Sequence, residues 1–263
     1  MMDTPTPIYS SALSGKGALL EETLAILRWI DQGYSTEQVR AMVIEQDLLG
    51  KMTLSTRRSV WKRIRERYLR DEHRARVLAR MVVHAPDHQT EKLVLFYEFC
   101  RATPLLRDVT IECVYPRYAA GYAGIDKTAV QQYFDHIAHA HPELTTWSPQ
   151  TRKKVVSNLL TILRDFGLLR GTQRKEFTRL YVPLPAFVYV LYRLADNGVI
   201  APRQVLEAKD WRLFFLDKLD VTMLMGEATA AGHCTFKHQG NVYTLDLRYP
   251  SLEACVEALT AEV

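Results

Sequence analysis

The chain has 263 residues, 48% of them hydrophobic and 24% charged, and its 34 Lys and Arg against 30 Asp and Glu leave a net charge of +4. That balance excludes a disordered polyelectrolyte and supplies enough apolar side chains for two or three small cores. The longest apolar run, Val182 to Tyr192, is too short and too broken by proline to cross a bilayer, so no membrane is expected as a partner.

Residues 1 to 8 (MMDTPTPI) lack the basic and apolar regions of a signal peptide and read as a loose tail. Four scattered cysteines, Cys100, Cys113, Cys234 and Cys255, form no Cys-x-x-Cys pair. They read as reduced, partly buried thiols of a cytoplasmic protein. Tyr9 to Gly17 leads into a first helix, Ala18 to Gln32, with Gly33 as its stop. The Ser-Gly-Lys-Gly of residues 14 to 17 is not a phosphate loop, because GxxxxGK[ST] is absent and no strand precedes it. Ser35 then caps a second helix, with Gln38 at the capping-box position and Val39, Met42 and Val43 pointing inward.

The dominant feature follows. Between Lys51 and Arg80 stand eleven Lys and Arg against Glu66, Asp71 and Glu72, a local charge near +8 in a chain of +4. A helix from Leu54 to Leu69, with Ser55 as its expected N-cap, carries Val60, Trp61, Ile64, Tyr68 and Leu69 on one stripe. Arg58, Lys62 and Arg65 fall at i, i+4 and i+7 on another face, with Arg57 nearby and few acids at i±4 to neutralise them. Helix, turn and basic helix is the order of a helix-turn-helix, although the link from Gln46 to Leu54 is long for one, and a plain helical bundle gives the same pattern.

Glu91 to Arg101 reads as an apolar helix ended by Pro104, and Tyr115 to Gly124 (YPRYAAGYAG) as an aromatic loop near a domain boundary. Tyrosines beside Arg117 can stack on bases or pack the loop against a helix. Asp126 caps a helix running to Ala140; Ser148-Pro149 opens another running to Phe166, with Gly167 after it. Leu168 to Leu184 then reads as a β-hairpin with a Gly-Thr-Gln-Arg-Lys tip. Helix, helix and basic hairpin is a winged-helix order, and Thr145 to Pro185 holds eight Lys and Arg against two acids. Beyond it, helices from Pro185 to Asp196, Trp211 to Leu219, Val221 to Ala230 and Leu252 to Leu259 flank a hairpin turned at His238 to Asn241.

The expected fold is therefore mainly α. It comprises a helical N-terminal domain (1–115) with a helix-turn-helix-like basic helix, a winged-helix-like domain (116–185), and a C-terminal helical and hairpin unit (186–263). DNA contacts are expected from Arg57, Arg58, Lys62 and Arg65, from Arg152, Lys153 and Lys154, and from Arg170, Arg174 and Lys175. His136, His139 and His141 lack the Cys or carboxylate that would complete a metal site, and no nucleophile or paired-carboxylate motif is present. No catalytic residue, metal or cofactor is expected.

Tyr9, Leu13, Gly15, Leu19, Glu21, the Asp47-Leu48-Leu49 segment and the arginine-rich helix after it resemble the start of the BrxA family of bacterial BREX phage-exclusion systems. The likeness is carried by the first quarter of the chain. It implies a mostly helical, non-enzymatic component that binds double-stranded DNA beside the methyltransferase, ATPase and phosphatase-like members of such a system. Two other roles stay open: an assembly adaptor within that complex, or a transcriptional regulator of its operon.

Overall fold

A computed structural model describes residues 8–15, 17–240 and 242–261; the expected N-terminal tail, Lys16 of the Ser-Gly-Lys-Gly stretch and Asn241 of the last hairpin turn lie outside them, save Ile8. Helices α1 (Leu20–Asp31), α2 (Thr36–Ile44), α3 (Leu54–Tyr68), α4 (Glu72–Val83) and α5 (His88–Ala102) come first. Then α6 (Pro104–Val109) passes through a π-helical turn (Thr110–Val114) into α7 (Tyr115–Ala119). Strand β1 (Gly124–Ile125), helices α8 (Lys127–Ile137), α9 (Glu143–Thr146) and α10 (Pro149–Asp165), and strands β2 (Leu169–Arg170) and β3 (Lys175–Phe177) follow. The chain continues through α11 (Leu184–Asp196), α12 (Pro202–Leu206), α13 (Lys218–Ala230), the hairpin β4 (Cys234–Gln239) and β5 (Val242–Leu247), and α14 (Leu252–Ala261). The protein is mainly α, with strands only in two small antiparallel sheets among the described residues.

The chain groups into two compact units, both discontinuous in sequence. The first joins the stretch up to Leu19 with Phe99–Leu180, and the second joins Leu20–Glu98 with the chain from Tyr181 onward.

In the first unit, α10 is the central helix. Ser148 accepts from the Thr151 amide and Pro149 occupies the first turn, so the helix starts where those two residues place it. Its stripe Val155, Val156, Leu159, Leu160, Ile162 and Leu163 is buried. Gly167, at φ +86°, turns the chain out of the helix into β2. β3 lies between β1 and β2, pairing antiparallel with both. The N-terminal segment is tied to this unit: the Asn158 amide donates to the Leu13 carbonyl, and the Tyr9 hydroxyl donates to Asp108. At Gly124 a Cβ would stand 2.1 Å from the Lys175 carbonyl oxygen, so only glycine lets β1 approach β3. Gly124→Ala should therefore destabilise the protein by about 1–3 kcal/mol, read as a lower midpoint in urea unfolding; an unchanged midpoint would mean the strand pair is dispensable.

In the second unit, α1 packs on α4, α4 on α14 and α14 on α11. Glu98 accepts from Arg193 Nε at 2.7 Å and from the Tyr189 hydroxyl at 3.0 Å, with all three largely buried. Trp211 stacks on Phe187 and donates its indole N–H to the Val205 carbonyl.

Several local expectations meet a different outcome. The N-cap of α3 is Thr53, whose hydroxyl accepts from the Thr56 amide, not Ser55. Pro104 does not merely end α5: it opens α6, because a proline at the first helical position loses no intrahelical bond. Part of the aromatic stretch, Tyr115–Ala119, is helical. The helix expected from Trp211 to Leu219 is a 3₁₀ turn, Lys209–Phe214, broken at Phe215 with φ +61°. That left-handed backbone costs about 1–2 kcal/mol, offset by burying the Phe215 ring.

Candidate nucleic-acid interface

The loop between α2 and α3 is built to hold α3 in place. Asp47 adopts a left-handed backbone (φ +56°), which an aspartate tolerates better than most residues. Its carboxylate accepts from the Lys51 amide at 2.6 Å and pairs with Arg57 at 3.0 Å. Arg57 also donates to the carbonyls of Lys51 and Ile44, and Lys51 reaches Glu22 at 2.8 Å. Thr36 donates to Glu72, and that hydrogen bond is the main reason the Glu72 carboxyl sits below its ordinary range.

Arg57, expected on the DNA-binding face, is thus half-buried and spends its donors inside the loop. The i, i+4 pattern could not reveal this, because its partner Asp47 lies ten residues back in an irregular segment. Arg67 is buried beside Tyr68 on the packed stripe, and desolvation pulls its guanidinium below the usual value. Arg63 is half-buried and pairs with Glu66 at 3.3 Å.

What remains outward on α3 is Arg58, Lys62 and Arg65, the predicted triplet. Lys62 approaches Glu66 only to 3.9 Å, and Arg58 and Arg65 have no carboxylate partner among the described residues. Arg70, just past the helix, is exposed likewise and could have been added from its place in the same charge run. Exposed guanidinium groups without local counter-ions keep their full charge available to an incoming polyanion.

The second cluster belongs to the first unit. Lys153 and Lys154 are exposed in the first turns of α10. Arg152, one residue earlier, is not: it is half-buried, pairs with Asp135 on α8 and lies over the Phe134 ring at 5.7 Å. It locks α8 to α10 rather than facing solvent. On the hairpin, Arg170 is exposed but paired with Glu176 directly across the strands at 3.0 Å. Lys175 is half-buried and donates to the Gly171 carbonyl at 2.6 Å. Desolvation first, then the Arg164 and Lys127 cations, hold its ammonium below the ordinary lysine range. Arg174 and Arg179 are exposed without a carboxylate partner among the described residues.

Of the ten expected contacts, therefore, Arg58, Lys62, Arg65, Lys153, Lys154 and Arg174 present open cationic heads; Arg57 and Arg152 are engaged in structure, and Arg170 and Lys175 are partly so. Arg58, Lys62 and Arg65 belong to the second unit, and Lys153, Lys154 and Arg174 to the first.

Among the described residues, no group of three or more His, Cys, Asp or Glu is placed to hold a metal ion, and no helix is long and apolar enough to cross a membrane. His141 is buried, stacked on Tyr9 at 3.9 Å and hydrogen-bonded to Glu143, so it serves to seat the N-terminal segment. All four cysteines are buried.

Comparison with known proteins adds the following. The sequence model of the BrxA family matches residues 7–191. No curated protein matches the sequence. Among solved structures, an uncharacterized protein from Magnetospirillum magneticum superposes with a TM-score of 0.59 at 19% identity, over 80% of this chain and 100% of the other. That likeness is one of fold.

Proposed function

The chain belongs to the BrxA family, and from that premise we propose that it is a non-enzymatic, cytoplasmic DNA-binding component of a bacterial BREX phage-defence system. The observation that carries the reading is the pair of exposed cation sets: Arg58, Lys62 and Arg65 on α3, of which only Lys62 approaches a carboxylate, Glu66 at 3.9 Å, among the described residues, and Lys153, Lys154 and Arg174 on α10 and the hairpin. The connectivity of the first unit supports it. Helix α6–α7, strand β1, helices α8, α9 and α10, then the β2–β3 hairpin, with strands ordered β1–β3–β2, resembles the succession of a winged helix apart from the short α9. In such a unit α10 would enter the major groove and the hairpin would follow the backbone. Lys153 and Lys154 at the start of α10 and Arg174 at the hairpin tip suit those two tasks.

Binding dominated by phosphate contacts releases counter-ions, so log affinity should fall linearly with log salt, with a slope of about −3 to −5 if most of the six cations engage. A mobility-shift or anisotropy series on duplex DNA across salt measures it. A flat dependence would remove the reading.

A docking role within the defence complex, toward its methyltransferase, ATPase or phosphatase-like members, is favoured by a different observation. Leu219 and Met223, one turn apart on α13, are 69% and 59% exposed, and Val242 is exposed too. Co-purification that survives nuclease treatment, without DNA retention, would favour that role. Regulation of the operon instead requires a strong preference for one promoter sequence.

A further inference from the structure

Beside the hairpin of the first unit lies an open cleft of about 550 Å³, within the size range of small-ligand sites. Three kinds of group line it. Arg117, Arg174 and Lys175 supply positive charge, Tyr122 an aromatic ring, and Gln132 and Gln173 side-chain amides. Arg117 sits over the Tyr122 ring, 5.3 Å from its centroid, while Tyr122 remains 58% exposed. The guanidinium braces one side of the ring and leaves aromatic surface open to the cleft.

The two carboxylates in the lining are already engaged. Asp126 accepts from the Ala129 amide at the start of α8, and Glu176 pairs with Arg170. The lining still holds three cations, Arg117, Arg174 and Lys175, against these two carboxylates, a surplus of one. Lys175 in addition has Arg164 and Lys127 as like-charged neighbours, offset in part by Asp165.

We propose that this cleft binds one unpaired nucleotide, its base stacked on Tyr122 and its phosphate held by Arg174 and Lys175. Aromatic rings take any base by its π-face, and arginine and lysine take the phosphate. The amides of Gln132 and Gln173 match the paired acceptor and donor on an adenine edge, which favours a purine. A nucleotide extruded from a DNA strand and a free nucleotide present the same chemistry. Only the first of these sources rests on the DNA-binding reading above.

The test uses the full-length protein and three probes: a fully paired duplex, the same duplex carrying one extrahelical adenine, and adenosine monophosphate alone. Loss of a base–aromatic stack costs on the order of tenfold in affinity. The wild-type protein should thus bind the bulged duplex about tenfold more tightly than the paired one. Tyr122→Ala should erase that difference, leaving paired-duplex affinity and the thermal midpoint unchanged. Adenosine monophosphate binding, lost in Tyr122→Ala, would identify a free nucleotide as an occupant even if neither duplex binds. Equal affinity for both duplexes with no monophosphate binding overturns the cleft proposal while leaving duplex binding intact. A preference, or monophosphate binding, that survives Tyr122→Ala overturns it as well.

Discussion

Replacing Arg58, Lys62 and Arg65 together by glutamate should weaken duplex binding by roughly a hundredfold at low salt and make the salt slope shallower by about 3. The size follows from losing three phosphate contacts and adding three repulsive charges on the same helical face. Stability should barely change, because the three side chains are exposed and only Lys62 approaches an acid, at 3.9 Å. The parallel triple, Lys153, Lys154 and Arg174 to glutamate, reports on the other unit. If each triple lowers affinity, both units engage DNA; if only one does, the site resides there. A control on the same helix sharpens the outcome. Arg57→Ala breaks the links to Asp47, Lys51 and Ile44, so it should lower the melting temperature as well as affinity. Loss of affinity in the triple accompanied by an equal loss of stability would count against a direct contact role.

Removing the Glu98 carboxylate should be the most destabilising single change, about 3–5 kcal/mol. Arg193 has only 6% of its side chain exposed and pairs with Glu98 at 2.7 Å. Burial alone would lower the arginine's affinity for its proton, but the Glu98 carboxylate outweighs it and the net direction is upward. Glu98→Leu would leave that cation buried with Asp196, at 2.8 Å, as its one remaining carboxylate partner among the described residues. The Tyr189 hydroxyl would also lose its acceptor. Glu98→Leu combined with Arg193→Met should recover most of the loss, since two apolar groups of similar volume avoid the desolvation penalty. Urea unfolding of the two single variants and the double variant checks both statements. A Glu98→Leu protein of native stability would show that the pair contributes nothing.

Much of the helical framework is legible from local chemistry alone. Ser35 with Gln38, Asp126, Ser148 with Pro149, and Gly167 each mark a helix boundary through interactions confined to a few neighbours. The stripes of α3 and α10 are buried as their spacing predicts, because a 3.6-residue period needs no distant partner to be recognised. Where local reading misses, the cause is a competitor inside the same short window. Thr53 displaces Ser55 as the cap, and the left-handed Phe215 interrupts an otherwise helical composition.

The open cations split along the same line. Arg58, Lys62 and Arg65 are outward because their positions lie off the apolar stripe, a fact of periodicity. Arg57 and Arg152 are engaged because Asp47 and Asp135 arrive from separate segments, a fact of folding. The cleft of Arg117, Tyr122, Gln132 and Arg174 draws on residues more than fifty positions apart, and no local pattern announces it.

The amino-acid order by itself determined that the protein is mainly α, where helices such as α2, α3, α8 and α10 begin, and that its positive charge is concentrated on α3, α10 and the hairpin. Those properties follow from backbone capping, periodicity and charge, which act over a few residues. Tertiary structure alone decided that Leu20–Glu98 is completed by the chain from Tyr181 onward, that Tyr9 belongs with Asp108 and Glu143, and which arginines are free to meet a phosphate. Those outcomes depend on which distant side chains share a core or a counter-ion, and such pairings are settled by packing and desolvation rather than by neighbours in sequence.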